Sequence, residues 1–370
     1  MSKTYIPIKV KSELWFSSHG RCAICNKPLY RDGLTMQKVN LSEYAHIIAD
    51  SSKGPRGDEE LSPELANDPN NLILLCKDHH KMIDDAGGVK KYGVALLRQI
   101  KKAHEDRIEY VTGLSPKKKS LVVCYAPKIG DRTPSITASV TTDTLFPEMY
   151  PMTPEPVKLD ATNLPYNDNE QKYWEFHPDI LRDNFKQKLQ GKMADVSHIS
   201  LFALAPQPLL ILLGTMLGDL YKVEIMQKHR DPDTWKWLNE EVKNDFQVIE
   251  PDIKVKEPVL IFALSGSDII ERVKKQLGDE YSYWTVTCEN PNRDMMRTRE
   301  QLSVFRNMMR NVINDINTHS IGKTLKVMPA MPQSCAIAFG YIRLPKSDLS
   351  WELYDLPQGS DAFVKTITLE

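Results

Sequence analysis

The sequence has little of what marks a secreted, membrane-spanning or strongly charged protein. Its 370 residues include only six cysteines, which argues against a disulfide framework. The 48 basic and 49 acidic side chains leave a net charge of -1, which excludes a uniformly basic nucleic-acid coat and an acidic disordered tail. The N-terminal residues lack the apolar run of a secretory signal, so we expect a cytoplasmic protein.

Long apolar runs are also missing. The most apolar stretch, residues 201–217, reads LFALAPQPLLILLGTML, and two prolines and a glutamine interrupt it. It is shorter than a usual membrane span and is typical of a buried strand followed by a buried helix. We therefore expect no membrane partner.

The charge is unevenly distributed along the chain. Residues 1–120 hold 20 basic and 15 acidic side chains, whereas the remainder holds 28 basic and 34 acidic ones. This favours the N-terminal part as the site of a polyanion, although a solvated face explains most single lysines equally well. The candidate phosphate-neutralising residues are Lys9, Lys11, Arg21, Lys27, Arg31, Lys53, Arg56, Lys117, Lys118 and Lys119. No base-reading element is evident, which predicts weak sequence preference.

Two domains and a linker are predicted. A helix over 94–110 closes the first domain, and the segment TGLSPKKK at 112–119 has the glycine, proline and lysine run of a solvated boundary. We place the first domain at 1–112, the linker at 113–120 and the second domain at 121–370. In the second domain, strands at 121–125 and 259–264 and helices at 268–277 and 299–317 indicate an α/β fold.

One internal repeat lies in the second domain. Residues 205–214 read APQPLLILLG and residues 330–340 read AMPQSCAIAFG. Each Pro-Gln follows a predicted strand, at 199–204 or 324–328, and each precedes an apolar segment with a glycine eight residues after the proline. The repeat predicts two related strand-turn-helix halves, the alternative being a coincidence between two apolar helices.

Two ligand pairs of equal spacing lie in the first domain. Cys22 and Cys25 form one pair, and Cys76 and His79 form the other. Each pair can present two donors from a tight turn to one tetrahedral Zn²⁺. We expect a structural zinc ion that contributes to folding, because so small a domain has little core of its own.

The residues between and after these pairs resemble the HNH endonuclease family. The resemblance covers about residues 14–110 and rests on His46, on Asn71 before a Leu-Leu-Cys strand, and on His80 at the start of a helix. It implies a zinc-containing α+β domain of the ββα-metal fold that cuts double-stranded DNA. It also implies that His46 is the general base, that Asn71 orients His46 or its loop, and that His80 and Asp84 hold Mg²⁺ or another divalent ion.

One position departs from the family pattern. Many HNH enzymes have an acidic residue or a histidine directly before the base as a metal ligand, and this chain has Ala45 there. Glu43 could replace this ligand only if the strand is distorted, because a separation of three residues puts it on the opposite face from His46. The alternatives are that His46 is a satisfied core histidine, that Asp84 is a helix-surface acid, and that the domain is a non-catalytic zinc module.

The second domain, over roughly 120–370, resembles the SAVED domain. The segments that carry the resemblance are 198–208 with 213–214, 227–230, 235–237, 264–267, and 332–334 with 339–340. SAVED is a fusion of two CARF-like halves that senses cyclic oligonucleotides in bacterial CBASS anti-phage systems. The resemblance implies an α/β domain of two fused Rossmann-like halves and a cyclic di- or trinucleotide activator.

The ligand pocket is expected where two helices begin. Helix N-termini after Pro206-Gln207 and Pro332-Gln333 can offer free N–H groups to two phosphates. Arg230 is a candidate phosphate partner, Trp235 or Trp237 a base-stacking surface, and Ser265 and Ser267 partners of phosphate or ribose. The candidate ligand-binding residues are Pro206, Gln207, Gln227, Arg230, Trp235, Trp237, Ser265, Ser267, Pro332, Gln333 and Ser334. The alternatives are a tryptophan in the core and a surface ion pair of Arg230 with Asp231 or Asp233.

Together these features predict a DNA endonuclease of low sequence specificity that a cyclic oligonucleotide activates. We expect a homo-oligomer, a dimer at least and a tetramer or larger assembly when active. The alternative is a constitutive restriction-type HNH endonuclease whose C-terminal domain targets DNA. The excess of acidic over basic side chains in the second domain argues against that alternative, because DNA is itself an anion.

Overall fold

The computed structural model of the chain describes residues 5–160, 164–193, 195–218, 222–243, 245–357 and 359–370. It divides into two compact units, residues 1–116 and 117–370. Each unit has its own buried apolar clusters.

The N-terminal unit is a two-stranded antiparallel sheet surrounded by helices. Its helices are α1 (Ile8–Ser17), α2 (Leu61–Leu65), α3 (Lys77–Asp84), α4 (Ala86–Lys91) and α5 (Val94–Thr112), and its strands are β1 (Ser42–His46) and β2 (Leu72–Cys76). A 3₁₀ turn at Pro69–Asn71 leads into β2, and another at Pro116–Lys118 follows α5. The predicted helix over 94–110 is confirmed as α5.

Strand β2 is the centre of the N-terminal unit. All five of its residues are buried, as its sequence Leu-Ile-Leu-Leu-Cys requires. It pairs with β1 so that His46 lies opposite Leu72 and Ser42 lies opposite Cys76. Helix α3 begins directly after Cys76, so β1, β2 and α3 form a strand-strand-helix unit.

The C-terminal unit contains two sheets and their covering helices. Its helices are α6 (Ala138–Leu145), α7 (Gln171–Asn184), α8 (Gly191–Met193), α9 (Gln207–Leu217), α10 (Ile269–Leu277), α11 (Arg299–His319) and α12 (Gln333–Tyr341). A π-helix, Phe185–Gln190, lies between α7 and α8. Its strands are β3 (Lys119–Tyr125), β4 (Tyr150–Pro151), β5 (Val157–Lys158), β6 (Ile199–Ala203), β7 (Val223–Ile225), β8 (Gln247–Ile249), β9 (Glu257–Phe262), β10 (Tyr281–Thr287), β11 (Thr324–Met328), β12 (Ser350–Asp355) and β13 (Val364–Leu369).

The first sheet is parallel and has the order β4-β3-β6-β7, with β5 also paired to β3. The second sheet has the order β13-β12-β11-β9-β10-β8. Its four inner strands are parallel, and its edge strands β13 and β8 are antiparallel to their neighbours. The inner strands β6 and β9 are almost wholly buried, as in parallel sheets that are covered on both faces.

The predicted repeat corresponds to the same local structure in each sheet. Strand β6 leads through Pro206 into α9, and strand β11 leads through Pro332 into α12. The two prolines have nearly identical backbone angles, with φ/ψ of -52/141° at Pro206 and -56/148° at Pro332. The prediction of two related halves is confirmed, as is the α/β class of this unit.

Candidate functional site

Four donor side chains converge beside the sheet of the N-terminal unit. The ligand atoms of Cys22, Cys25, Cys76 and His79 all lie within 4.8 Å of one another. The His79 Nδ1 atom is 3.4 Å from the Cys22 sulfur and 3.2 Å from the Cys76 sulfur. Burial raises the pKa of the Cys22 thiol to about 11, so a thiolate there needs a cation to stabilise it. Three sulfurs and one imidazole nitrogen fit a four-coordinate Zn²⁺.

His46 lies at the end of β1, and a backbone carbonyl fixes its ring. Its Nε2 atom is 2.9 Å from the carbonyl oxygen of Ala66, directly after α2. A carbonyl oxygen only accepts hydrogen bonds, so this contact assigns the proton of the neutral ring to Nε2. The Nδ1 atom then carries the lone pair, and it is the atom that can accept a proton.

Asn71 holds two backbone segments next to His46, one at Ile48 and one at Leu65. Its side-chain oxygen accepts a hydrogen bond of 2.9 Å from the Ile48 N–H, and its Nδ2 donates to the Ile48 carbonyl at 2.9 Å. The same Nδ2 donates to the carbonyl of Leu65 at 3.2 Å. Ile48 lies two residues after His46, and Leu65 directly precedes the carbonyl that His46 contacts. Asn71, which is 2% exposed, therefore fixes the backbone around the His46 ring.

His80 and Asp84 contact each other on α3. The His80 Nε2 atom is 3.2 Å from the Asp84 Oδ2 atom, and the Arg56 guanidinium is 2.6 Å from Asp84 Oδ1. Burial raises the pKa of Asp84, but hydrogen bonds from His80 and Arg56 outweigh it and hold that pKa below its usual range. The expectation that both residues hold a cation stays a prediction. Both oxygens of Asp84 already have partners, and one partner is positively charged.

Arg56 was one candidate for neutralising DNA phosphates, and the structure instead buries its guanidinium against backbone carbonyls and Asp84. Its side chain is only 4% exposed. It donates to the carbonyls of Ile47 at 2.7 Å and Ile83 at 2.7 Å, and to that of His46 at 3.3 Å. Arg56 therefore ties the end of β1 to the end of α3. No local sequence signal distinguished it from the neighbouring lysines, because its partners are distant in the chain.

Glu43 also approaches this site. Its Oε2 atom lies 3.6 Å from the Nδ1 atom of His80, and both side chains are about one third exposed. This contact joins β1 to α3, two elements far apart in the sequence, so no local pattern predicts it.

In the C-terminal unit, helices α9 and α12 begin at the same end of the unit. Gln207, the first residue of α9, accepts a hydrogen bond of 3.2 Å from the N–H of Met331, just before α12. The side chain of Gln227 donates to Gln333 at 3.0 Å and accepts from the Ser334 hydroxyl at 2.6 Å. The predicted residues Gln207, Gln227, Gln333 and Ser334 are thus brought together at the two helix N-termini, next to the N-caps Pro206 and Pro332.

The other expected ligand residues are more scattered. Trp235 is 4% exposed and packs edge-on against Phe202 with 5.3 Å between ring centroids, which is the alternative in which one of the two tryptophans lies in the core. Trp237 is half-buried, with its ring 6.0 Å from that of His229. The backbone N–H of Arg230 donates to Asp294 at 2.9 Å, and the residue is exposed.

Ser265 and Ser267 lie in the turn between β9 and α10. The Ser265 N–H donates to the carbonyl of Ala330 at 2.9 Å, which ties this turn to the segment before α12. Ser267 is exposed.

No helix among the described residues is both long enough and apolar enough to cross a lipid bilayer.

Comparison with curated proteins gave no significant match. Among solved structures, the chain is similar to a Cap4 SAVED/CARF-domain containing receptor from Acinetobacter baumannii, described with the cyclic trinucleotide 2'3'3'-cAAA. The identity is 14%, the match covers 85% of this chain and 67% of that one, and the TM-score is 0.41. A Cap4 receptor from Moraxella osloensis matches with 12% identity, coverage of 80% and 60%, and a TM-score of 0.37.

Two family models match the chain. The model described as HNH endonuclease matches residues 22–86. This range includes the four clustered side chains of Cys22, Cys25, Cys76 and His79, and also His46, Asn71 and His80. The model described as the SMODS-associated and fused to various effectors sensor domain, SAVED, matches residues 181–369, just over half of the chain. The chain therefore belongs to the SAVED family, and it carries an HNH endonuclease domain before its sensor domain.

Proposed function

We propose that this protein is a metal-dependent DNA endonuclease that a cyclic oligonucleotide activates, and that it acts as an effector of bacterial anti-phage defence in the cytoplasm. The observation that carries the proposal is the pairing of two helix N-termini in the sensor unit of a chain that also has an HNH domain.

The nuclease reaction needs a base for the attacking water. The lone pair on His46 Nδ1 is suited to take that proton, because the Ala66 carbonyl keeps Nε2 protonated and the ring in one orientation. Asn71 positions the base by holding Ile48 and Leu65. A divalent ion, when bound, would stabilise the charge that develops on the scissile phosphate.

The sensor site is suited to an anion that carries two phosphates. Helices α9 and α12 each direct backbone N–H groups and a positive dipole end to the same end of the unit. Two positive ends side by side repel each other, and a bound polyanion removes that repulsion. The Nε2 donor of Gln333 is buried without a partner among the described residues, so it is one further donor for such a ligand.

Activation requires that the ligand bind one state of the protein more tightly than the other. We infer that the ligand changes the packing between copies of the chain, so that two HNH domains act on the two strands of one duplex. Each HNH centre cuts one strand, which is why a homo-oligomer is expected to be the active form.

The test is cleavage of supercoiled plasmid by the purified full chain with Mg²⁺ or Mn²⁺. The reaction is run alone and with each member of a panel of cyclic di- and trinucleotides, and the mass of the protein in solution is measured in parallel. We expect cutting with only one or a few of these ligands, together with a larger assembly. His46→Ala should bind the same ligand and cut nothing. Ligand-independent cutting would favour the restriction-type alternative, and cutting by His46→Ala would remove the role assigned to that residue.

A further inference from the structure

His80 lies between two carboxylates, one at each ring nitrogen. Its Nε2 atom is 3.2 Å from Asp84 Oδ2, and its Nδ1 atom is 3.6 Å from Glu43 Oε2. The two contacts are not equivalent, because the two acids have different surroundings.

Asp84 is held as an acceptor. The guanidinium of Arg56 lies 2.6 Å from its Oδ1, and this arginine is almost fully buried. The Oδ2 atom of this carboxylate lies 3.2 Å from His80 Nε2 and accepts the hydrogen bond from that nitrogen. The His80 tautomer that donates to Asp84 has its proton on Nε2 and a lone pair on Nδ1.

That lone pair faces Glu43. Among the described residues, no hydrogen bond or ion pair other than the His80 contact involves the Glu43 side chain. A lone pair and a carboxylate oxygen repel each other unless a proton or a cation lies between them. Two ligand atoms each about 2.1 Å from one ion are about 3 to 3.5 Å apart, close to the separation seen here.

We propose that Glu43 and His80 Nδ1 hold the catalytic divalent cation, and that Asp84 and Arg56 position His80 for it. The proposal rests on the nuclease function proposed above. It makes Glu43 the carboxylate ligand that Ala45 cannot be. Asp84 is then not a ligand but the hydrogen-bond acceptor at Nε2, the ring nitrogen of His80 that does not bind the cation. Hydrogen bonding of a ligand histidine to a carboxylate is a common support for a metal site.

The chemistry of the pair indicates which ions bind. Imidazole nitrogen is a ligand for first-row transition metals, whereas Mg²⁺ prefers oxygen and keeps most of its water. A site of one nitrogen and one carboxylate therefore favours Mn²⁺ over Mg²⁺. Both side chains are about one third exposed, so solvent and a substrate phosphate can complete the coordination.

The experiment is a Mn²⁺ titration of the zinc-loaded full chain, followed by electron paramagnetic resonance. We expect Glu43→Gln to weaken Mn²⁺ binding at least tenfold while zinc content and melting temperature stay unchanged. Asp84→Asn should weaken Mn²⁺ less, and pulsed measurements should show a nitrogen coupled to the bound ion that His80→Gln removes. Glu59→Gln, at an exposed acid of the same unit, is the control and should bind Mn²⁺ as the wild type does.

Unchanged Mn²⁺ affinity in Glu43→Gln would overturn the proposal, and so would a bound ion without a coupled nitrogen. A doubly protonated His80 that simply bridges the two acids predicts these results. Either result leaves the nuclease function in place if the wild-type chain still cuts DNA. If Mn²⁺ binds as proposed but no ligand produces cutting, the metal site stands and the proposed function fails.

Discussion

Gly214 of α9 and Gly340 of α12 pack against each other's helix in a reciprocal way. A Cβ atom on Gly214 would overlap the carbonyl oxygen of Ile337, and one on Gly340 would overlap the carbonyl oxygen of Ile211. Each of these carbonyls belongs to the residue three positions before the opposite glycine. The two halves of the sensor unit therefore meet through the same contact made twice, backbone against backbone.

This contact predicts the effect of adding one methyl group. Gly214→Ala and Gly340→Ala should each lower the stability of the C-terminal unit, because overpacking of this kind costs about 1 to 3 kcal/mol and sometimes more. Differential scanning calorimetry of the full chain measures the effect. Gly191→Ala is the matched control, since a Cβ there meets nothing within 4 Å. Melting temperatures as high as that of the control would contradict the close approach.

Added negative charge at the start of α12 should lower the affinity for the cyclic nucleotide without lowering the stability of the fold. Gln333→Glu keeps the oxygen that accepts from Gln227, and it replaces an Nε2 donor that has no partner among the described residues. A carboxylate interacts favourably with a helix N-terminus, which offsets the cost of burying its charge, so the melting temperature should change little. Binding of the activating cyclic nucleotide should fall tenfold or more, because the new charge repels phosphate. Calorimetric titration measures the affinity, with Gln187→Glu at an exposed position as the control. Undiminished affinity would place the ligand away from α12.

Loss of one zinc ligand should affect the N-terminal unit alone. Cys25 is exposed, so Cys25→Ser removes little buried surface and mainly removes a donor from the cluster. We expect less than one zinc per chain by elemental analysis, and a lower melting transition for residues 1–116. Cys288→Ala, in the other unit, should retain the full zinc content. Full zinc content in Cys25→Ser would show that this residue is not a ligand.

Acid should destabilise the C-terminal unit in part through His177. The ring is 2% exposed and lies tilted by 33° against the Tyr173 ring, with 4.0 Å between centroids, and burial lowers the pKa of His177 to about 4. In the unfolded chain the usual pKa is near 6.5, so the unfolded state binds the proton first as the pH falls. Its contribution is therefore present above pH 6.5 and is lost between pH 6.5 and 4, at about 1.4 kcal/mol for each pKa unit.

Urea unfolding at pH 7 and pH 5 measures this loss. His177→Phe keeps an aromatic ring beside Tyr173 and cannot titrate, so it should lose less stability than the wild type between these pH values. The other buried histidines, such as His104 and His229, contribute the same pH-dependent loss of stability to both proteins. An equal loss in the two proteins would contradict a neutral buried His177.

The sequence by itself determined those elements whose pattern is local, among them α5, β6, β9, α9 and α11. Spacing within a few residues predicted the two ligand pairs around Cys22 and Cys76. Apolar runs predicted β6 and α9, and amphipathic spacing predicted α11, because these features depend on neighbours in the chain. The Pro-Gln repeat likewise predicted the two halves, since the same local turn starts α9 and α12.

Only the tertiary structure decided which polar side chains meet. It placed Arg56 on Asp84 and Glu43 on His80, and it buried Trp235 against Phe202. These contacts join residues that lie 28 to 37 positions apart, and no local periodicity encodes such pairs. The contact of Glu43 with His80 forms because β1 and α3 pack on one small core, and such packing between distant segments fixes which polar side chains meet.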